Sequence, residues 1–123
     1  AGLLIVYHFM KYVRWTVATP LNRKVRLTED GWIRKILPAH PELASDPAYE
    51  MEVRATVEDP DFIVQGWEGE SLSLRWCEIA PRGPKHLCVV YREAEPEGFV
   101  ITAFFISRYG KLLRRGIRWQ RPR

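Results

Sequence analysis

The stretch from Phe99 to Ser107 is apolar on both sides of a two-residue repeat, and this limits the fold more than any other feature of the chain. Phe99, Ile101, Ala103 and Phe105 fall on one side, and Val100, Phe104 and Ile106 on the other. A strand of that kind belongs in the middle of a sheet, where neither face is open to water. Neighbouring strands are easy to propose. Leu72, Leu74 and Trp76 alternate with Ser73, Arg75 and Cys77. Leu87 to Arg92 forms another run, and Glu93 to Gly98 is the turn that joins it to the central strand. Phe62-Ile63-Val64 is a short fourth strand, turned at Glu68-Gly69-Glu70. The segment from Ala80 to Lys85, with two prolines and a glycine, reads as a loop.

The first half has a different rhythm. Tyr12 to Val17 alternates at strand period, Pro20-Leu21-Asn22 turns the chain, and Lys24 to Leu27 returns, which predicts a hairpin. Thr28 is a helix N-cap followed by Glu29 and Asp30, acids the helix dipole favours. Trp32, Ile33, Ile36 and Leu37 recur at helical spacing, with Pro38 and Pro41 as the stop. A second helix is expected from Asp46-Pro47 to Glu58, burying Tyr49, Val53, Thr56 and Val57. The predicted architecture is α+β: a β-hairpin, then two helices packed on a curved, mainly four-stranded antiparallel sheet.

At 123 residues this is one domain, with residues 1–9 as an extension, Met10 as the expected start and 108–123 as a basic C-terminal segment. The longest apolar stretch, Leu3 to Met10, falls far short of the roughly 20 residues a bilayer needs, so no membrane partner is expected. It also lacks the flanks of a secretory signal. Two cysteines, Cys77 and Cys88, make no disulfide framework, and a reducing, cytoplasmic setting with both thiols in the core is the expectation.

Charge is segregated along the chain. Residues 1–40 hold seven basic and two acidic side chains, residues 41–70 hold one and nine, and residues 71–123 hold eleven and four. The last sixteen residues carry seven of those basic groups and no acid. Such blocks suggest an electropositive face for a polyanion, or else a frayed basic tail.

Motifs for chemistry are sparse. His8, His40 and His86 lie far apart, without metal-ligand spacing, and there is no Walker loop, dinucleotide loop or nucleophile elbow, so neither metal nor cofactor is expected. His40-Pro41-Glu42 follows the capped helix, and the proline holds His40 extended. A histidine there is a candidate general acid or base with Glu42 beside it; a helix-closing residue bonded to the backbone is the plainer alternative. Arg75 lies opposite the Leu72/Leu74/Trp76 face, Arg92 ends the next strand and Thr102 sits within the central one. Together they would suit a phosphodiester; singly, each is an ordinary solvated strand residue.

The runs VRLTEDGWIRKILPAHPEL, VEDPDFIVQG, LCVVYREAEPEGFVITAFF and KLLRRGIRWQR resemble the phage-associated nuclease-like family of the barnase–EndoU–colicin–RelE superfamily, over about Trp15 to Arg121. The resemblance implies a two-helix, four-stranded fold and metal-independent RNA cleavage in a toxin or mobile-element setting. A cognate antitoxin or inhibitor protein would then be a partner. It favours His40 and Glu42 from the HPE motif and Thr102 from ITAF as catalytic, with Arg75 and Arg92 added from strand geometry. Relatives often place a histidine where this chain has Lys35, which either substitutes as a phosphate-binding cation or weakens this copy. Arg108, Arg114, Arg115 and Trp119, with Tyr109 interleaved, would carry salt-dependent RNA contact.

Two further readings use the same residues differently. One is a non-catalytic nucleic-acid-binding or partner-binding module. The other is an assembly domain, a homodimer formed through the apolar N-terminal strand.

Overall fold

The computed structural model describes residues 12–122. The proposed extension and its dimer-forming strand lie outside the described residues. The chain forms one seven-stranded mixed sheet in the order β1-β2-β6-β5-β4-β3-β7. Its strands are β1 (Val13–Ala18), β2 (Lys24–Thr28), β3 (Phe62–Gln65), β4 (Ser71–Cys77), β5 (Lys85–Arg92), β6 (Gly98–Ile106) and β7 (Ile117–Gln120). The helical pieces are short: α1 (Gly31–Ile36 continuing through Leu37–Ala39), a tight turn at Pro41–Ala44, α2 (Ala48–Glu58) and α3 (Gly110–Leu113). No helix among the described residues is long and apolar enough to cross a membrane.

This corrects the expected architecture, a four-stranded antiparallel sheet preceded by two helices. The hairpin is not separate, because β2 joins the sheet in parallel with β6 through Val25↔Gly98 and Arg26↔Phe99. The C-terminal segment is not a tail, because β7 pairs antiparallel with β3. β6 does occupy an interior position, between β2 and β5.

Each face of the sheet carries its own apolar layer. On one face, Val25, Leu27, Leu87, Val89, Tyr91 and Ala103 pack with Trp32 and Ile36 of α1 and with Tyr49, Val53 and Val57 of α2. The α2 stripe forms as its spacing requires, Thr56 included, and Asp46 Oδ1 accepts the Ala48 N–H (2.9 Å) at the helix start. On the opposite face, Val64, Leu72, Leu74, Cys88 and Val90 pack with Tyr109, Leu112 and Leu113. The segment around α3 therefore roofs the face the helical half leaves open.

α1 departs from the expected helix in an instructive way. Thr28 Oγ1 accepts the Gly31 N–H (3.0 Å), so the cap is where it was read. The helix then runs as a wide turn, in which the Leu37 N–H reaches Trp32 O rather than the carbonyl four residues back. Pro38 sits inside the helix instead of stopping it. A proline has no N–H and its ring would strike the carbonyl four residues earlier; the wide turn ahead of it opens that space. The extra residue also rotates Ile33 outward, to 46% exposed, while Trp32 and Ile36 stay buried.

Arg14 ties the hairpin to both helices, pairing with Glu29 and, through two hydrogen bonds, with Glu50 (2.7 and 2.8 Å). Both partners favour its charged form and raise its pKa, Glu50 most.

Candidate nucleic-acid interface

The proposed catalytic set does not assemble, and strand register explains why. Arg75 stands opposite Leu87, on the face occupied by α2, and donates to the Asp59 carbonyl (3.0 Å) and carboxylate (3.3 Å) just past the end of α2. Arg92 lies five residues further along β5, about 16 Å at strand rise, and shares the opposite face with Cys88 and Val90. It donates to the Glu68 carbonyl and to the Glu70 carboxylate, both at 3.3 Å. The face opposite Leu72 and Leu74 is thus not open at Arg75, because α2 and its following loop lie on that side. Neither guanidinium is free of a carboxylate.

His40 is elsewhere again. Its backbone N–H bonds to Ile36 O (2.9 Å), closing α1, and its ring lies 5.6 Å from that of Phe104. Nδ1 is 3.7 Å from Glu42 Oε1, so the HPE histidine and glutamate do face one another, although half-exposed. Thr102 pairs with Val90 and lies two residues from Phe104 on the same side of β6. Of the five residues, His40, Glu42 and Thr102 form the nearest approach to a group.

The basic C-terminal residues divide into two kinds. Arg118 bonds to Ser71 and to Glu93 (2.9 Å), and Arg121 bonds to Asp59 (2.9 Å) and Asp61 (3.3 Å). Trp119 stands opposite Ile63 in the sheet and is half-buried. These residues belong to the fold. Arg108, Lys111 and Arg114, in contrast, are exposed and make no ion pair among the described residues. They are held in place because Tyr109, Leu112 and Leu113 of the same turn are anchored in the sheet.

Two exposed tryptophans flank this basic turn. Trp67, 57% exposed, carries the Arg115 guanidinium 4.7 Å from its ring centre. Arg115 is fixed there by the carbonyls of Gln65 (3.2 Å) and Gly66 (3.0 Å). The loop that presents Trp67 is built on Glu70, whose carboxylate accepts the N–H groups of Trp67 (2.5 Å) and Glu68 (2.8 Å). The Glu68 N–H first, then that of Trp67 and the charge of Arg92, hold the Glu70 carboxyl below its usual range. Gly69, at φ +88°, supplies the left-handed residue the loop needs.

Trp76, 45% exposed, stands at the far end of β4. It packs edge-on against His86 (5.1 Å), which is itself 4.1 Å from Tyr109, and its indole N–H donates to Glu78 (2.9 Å). Burial pushes the His86 imidazole below its ordinary value, opposed only by Asp61 nearby. This stack was not read from the sequence. Its one signal was that Trp76 and His86 both point to the Leu74/Cys88 side of their strands, which requires the β4–β5 register to interpret.

Cys77 and Cys88 are buried and free. Burial raises both thiols, Cys88 to about 12, so neither is a thiolate nucleophile at neutral pH. Among the described residues no three His, Cys, Asp or Glu side chains gather into a metal-binding group.

No family model, curated protein or solved structure matches this chain.

Proposed function

We propose that the protein binds single-stranded nucleic acid, RNA in the first instance, along the ridge formed by Arg108, Lys111 and Arg114 between Trp67 and Trp76. The observation that carries this reading is the pattern of neutralisation. Arg14, Arg75, Arg92, Arg118 and Arg121 all have carboxylate partners, whereas the three ridge cations have none among the described residues. Unneutralised cations on an anchored turn attract a phosphate backbone, and exposed indoles offer faces on which bases of any identity stack. Trp67 precedes β4 and Trp76 lies near its far end, and the five steps from Ser71 to Trp76 span about 17 Å at strand rise, which suits a short run of nucleotides rather than a single one.

Anisotropy of a labelled twelve-nucleotide RNA tests this. Affinity is expected to fall with added salt and to fall further in Trp67→Ala, by about 5- to 100-fold for one lost base stack. Equal affinity for wild type and Trp67→Ala, or no binding at 50 mM salt, overturns the reading.

Ribonuclease activity is the second reading, and the His40–Glu42 approach favours it. It predicts cleavage in excess EDTA to products with 2′,3′-cyclic phosphate ends, abolished in His40→Ala. Intact RNA after prolonged incubation with a folded sample leaves binding alone.

A further inference from the structure

A second site lies toward the β1–β2 end of the sheet, beside β2 and β6 and away from the ridge at β3, β4 and β7. β2 and β6 pair over only two residue positions and then part, β2 turning into α1 while β6 continues with an extra residue at Ile101. Among the described residues β6 has no strand neighbour on that side beyond Phe99. The gap is a cleft of about 300 Å³ lined by Arg26, Thr28, Lys35, Phe99 and Ile101 among others. That volume is at the small end of the range for sites that enclose a small organic ligand.

The lining is chemically divided. Phe99 (39% exposed) and Ile101 offer an uncovered apolar wall at the rim of an otherwise well-packed sheet. Lys35 is exposed and has no ion pair among the described residues. Among the described residues the Arg26 guanidinium has only a long contact to Glu97 (4.0 Å), and its buried Nε has no hydrogen-bond partner. A buried N–H without an acceptor is a cost that an incoming anion would remove. An apolar wall beside two cations matches a flat or compact apolar body carrying one anionic group. The forked guanidinium and the point charge of a lysine together suit the several oxygens of a phosphate.

We propose that this cleft binds a phosphomonoester on an aromatic body, of mononucleotide size. Arg26 and Lys35 hold the phosphate, and the base lies against Phe99. Such a group has two sources, a free nucleotide or the phosphorylated end of a strand. The site shares no residue with the ridge and stands or falls separately from it.

Calorimetric titration of the full chain with AMP, GMP, CMP and UMP, their nucleosides, inorganic phosphate, and a hexanucleotide with and without a 5′ phosphate provides the test. At least one nucleotide, or the 5′-phosphorylated hexanucleotide, is expected to bind ten times or more tightly than its unphosphorylated counterpart and more tightly than inorganic phosphate. Lys35→Ala and Arg26→Gln each weaken that binding about tenfold or more, the loss of one charge-assisted contact. Phe99→Ala removes the advantage over inorganic phosphate, and Glu97→Gln tightens binding by up to about fivefold by freeing Arg26. Should Arg26→Gln lose its fold, the exposed Lys35→Ala decides alone. Binding of the phosphorylated hexanucleotide only assigns the strand end; binding of free nucleotide only assigns the metabolite-sized ligand. Nucleoside binding equal to nucleotide binding, inorganic phosphate as good as any nucleotide, or an unchanged Lys35→Ala overturns the proposal. A charge-neutralised ridge, Lys111→Ala with Arg114→Ala, is expected to leave nucleotide binding intact.

Discussion

The segment 108–115 holds three arginines and a lysine and the adjacent stretch 117–121 two arginines, yet their surroundings differ. In β7, Arg118 reaches Ser71 and Glu93, and Arg121, just past the strand, reaches Asp59 and Asp61. These arginines fasten an outer strand to the sheet. In the preceding turn the apolar residues Tyr109, Leu112 and Leu113 do the fastening, and Arg108, Lys111 and Arg114 are left to solvent. Gly116, at φ +123°, marks the boundary between the two. What distinguishes the structural cations from the proposed binding ones here is a carboxylate within reach, Glu93 for Arg118 and mostly acids of the chain's middle block for the others. That middle block supplies Glu50 to Arg14, Asp59 to Arg75 and Arg121, and Glu70 to Arg92.

Replacing Arg108, Lys111 and Arg114 together with alanine gives the largest expected effect. RNA affinity at low salt should fall by about 10- to 100-fold while the melting temperature stays within a degree or two of wild type. A melting temperature that drops sharply would make these residues structural and erase the contrast. Arg118→Met should do the reverse. It removes a half-buried donor from Ser71 and Glu93 and is expected to cost about 1–2 kcal/mol of stability in urea denaturation, with RNA affinity unchanged.

The acidic middle block can be tested by pH. Because the folded protein holds the Glu70 carboxyl below 4.5, its stabilisation is present above that pH. It is lost as pH falls through the lowered value, where the unfolded chain binds the additional proton. Glu70→Gln should therefore flatten the acid limb of the stability profile below pH 4.5; an unchanged limb would remove Glu70 from the Trp67 loop's support. The smallest effect is at His86. Its folded value lies below 6.5, so the stabilisation of its neutral form is full above 6.5 and declines as pH falls beneath it. His86→Phe should reduce the slope of stability against pH in that window, measured by thermal melts.

Legibility in the sequence followed locality. The Tyr49/Val53/Thr56/Val57 stripe, the Thr28 cap and the interior position of β6 are recorded within a few residues of themselves, and they could be read, although Phe99 and Ile101 stay exposed where β2 parts from β6. The β2–β6 pairing rests on two positions some seventy residues apart, and β7 is a short, mostly exposed edge strand with little apolar pattern. Neither leaves a periodic signal, so the β1–β2 hairpin is legible while its junction with β6 and the strand in the C-terminal segment are not. The candidate site failed for a related reason. Arg75 and Arg92 each look unpaired in sequence, since Asp59 and Glu70 lie 16 and 22 residues away and come close only through the β3–β4 and β4–β5 registers. His40 and Glu42, two residues apart, kept their predicted proximity because nothing distant was needed to create it.

The salt dependence of RNA binding addresses the claim about Arg108, Lys111 and Arg114 most directly. Three phosphate contacts on a single strand predict a slope near −2 in log affinity against log salt, roughly a 15-fold loss between 50 and 200 mM. That slope should flatten when the three are replaced by alanine. Affinity indifferent to salt, or a slope unchanged by the replacement, would contradict it.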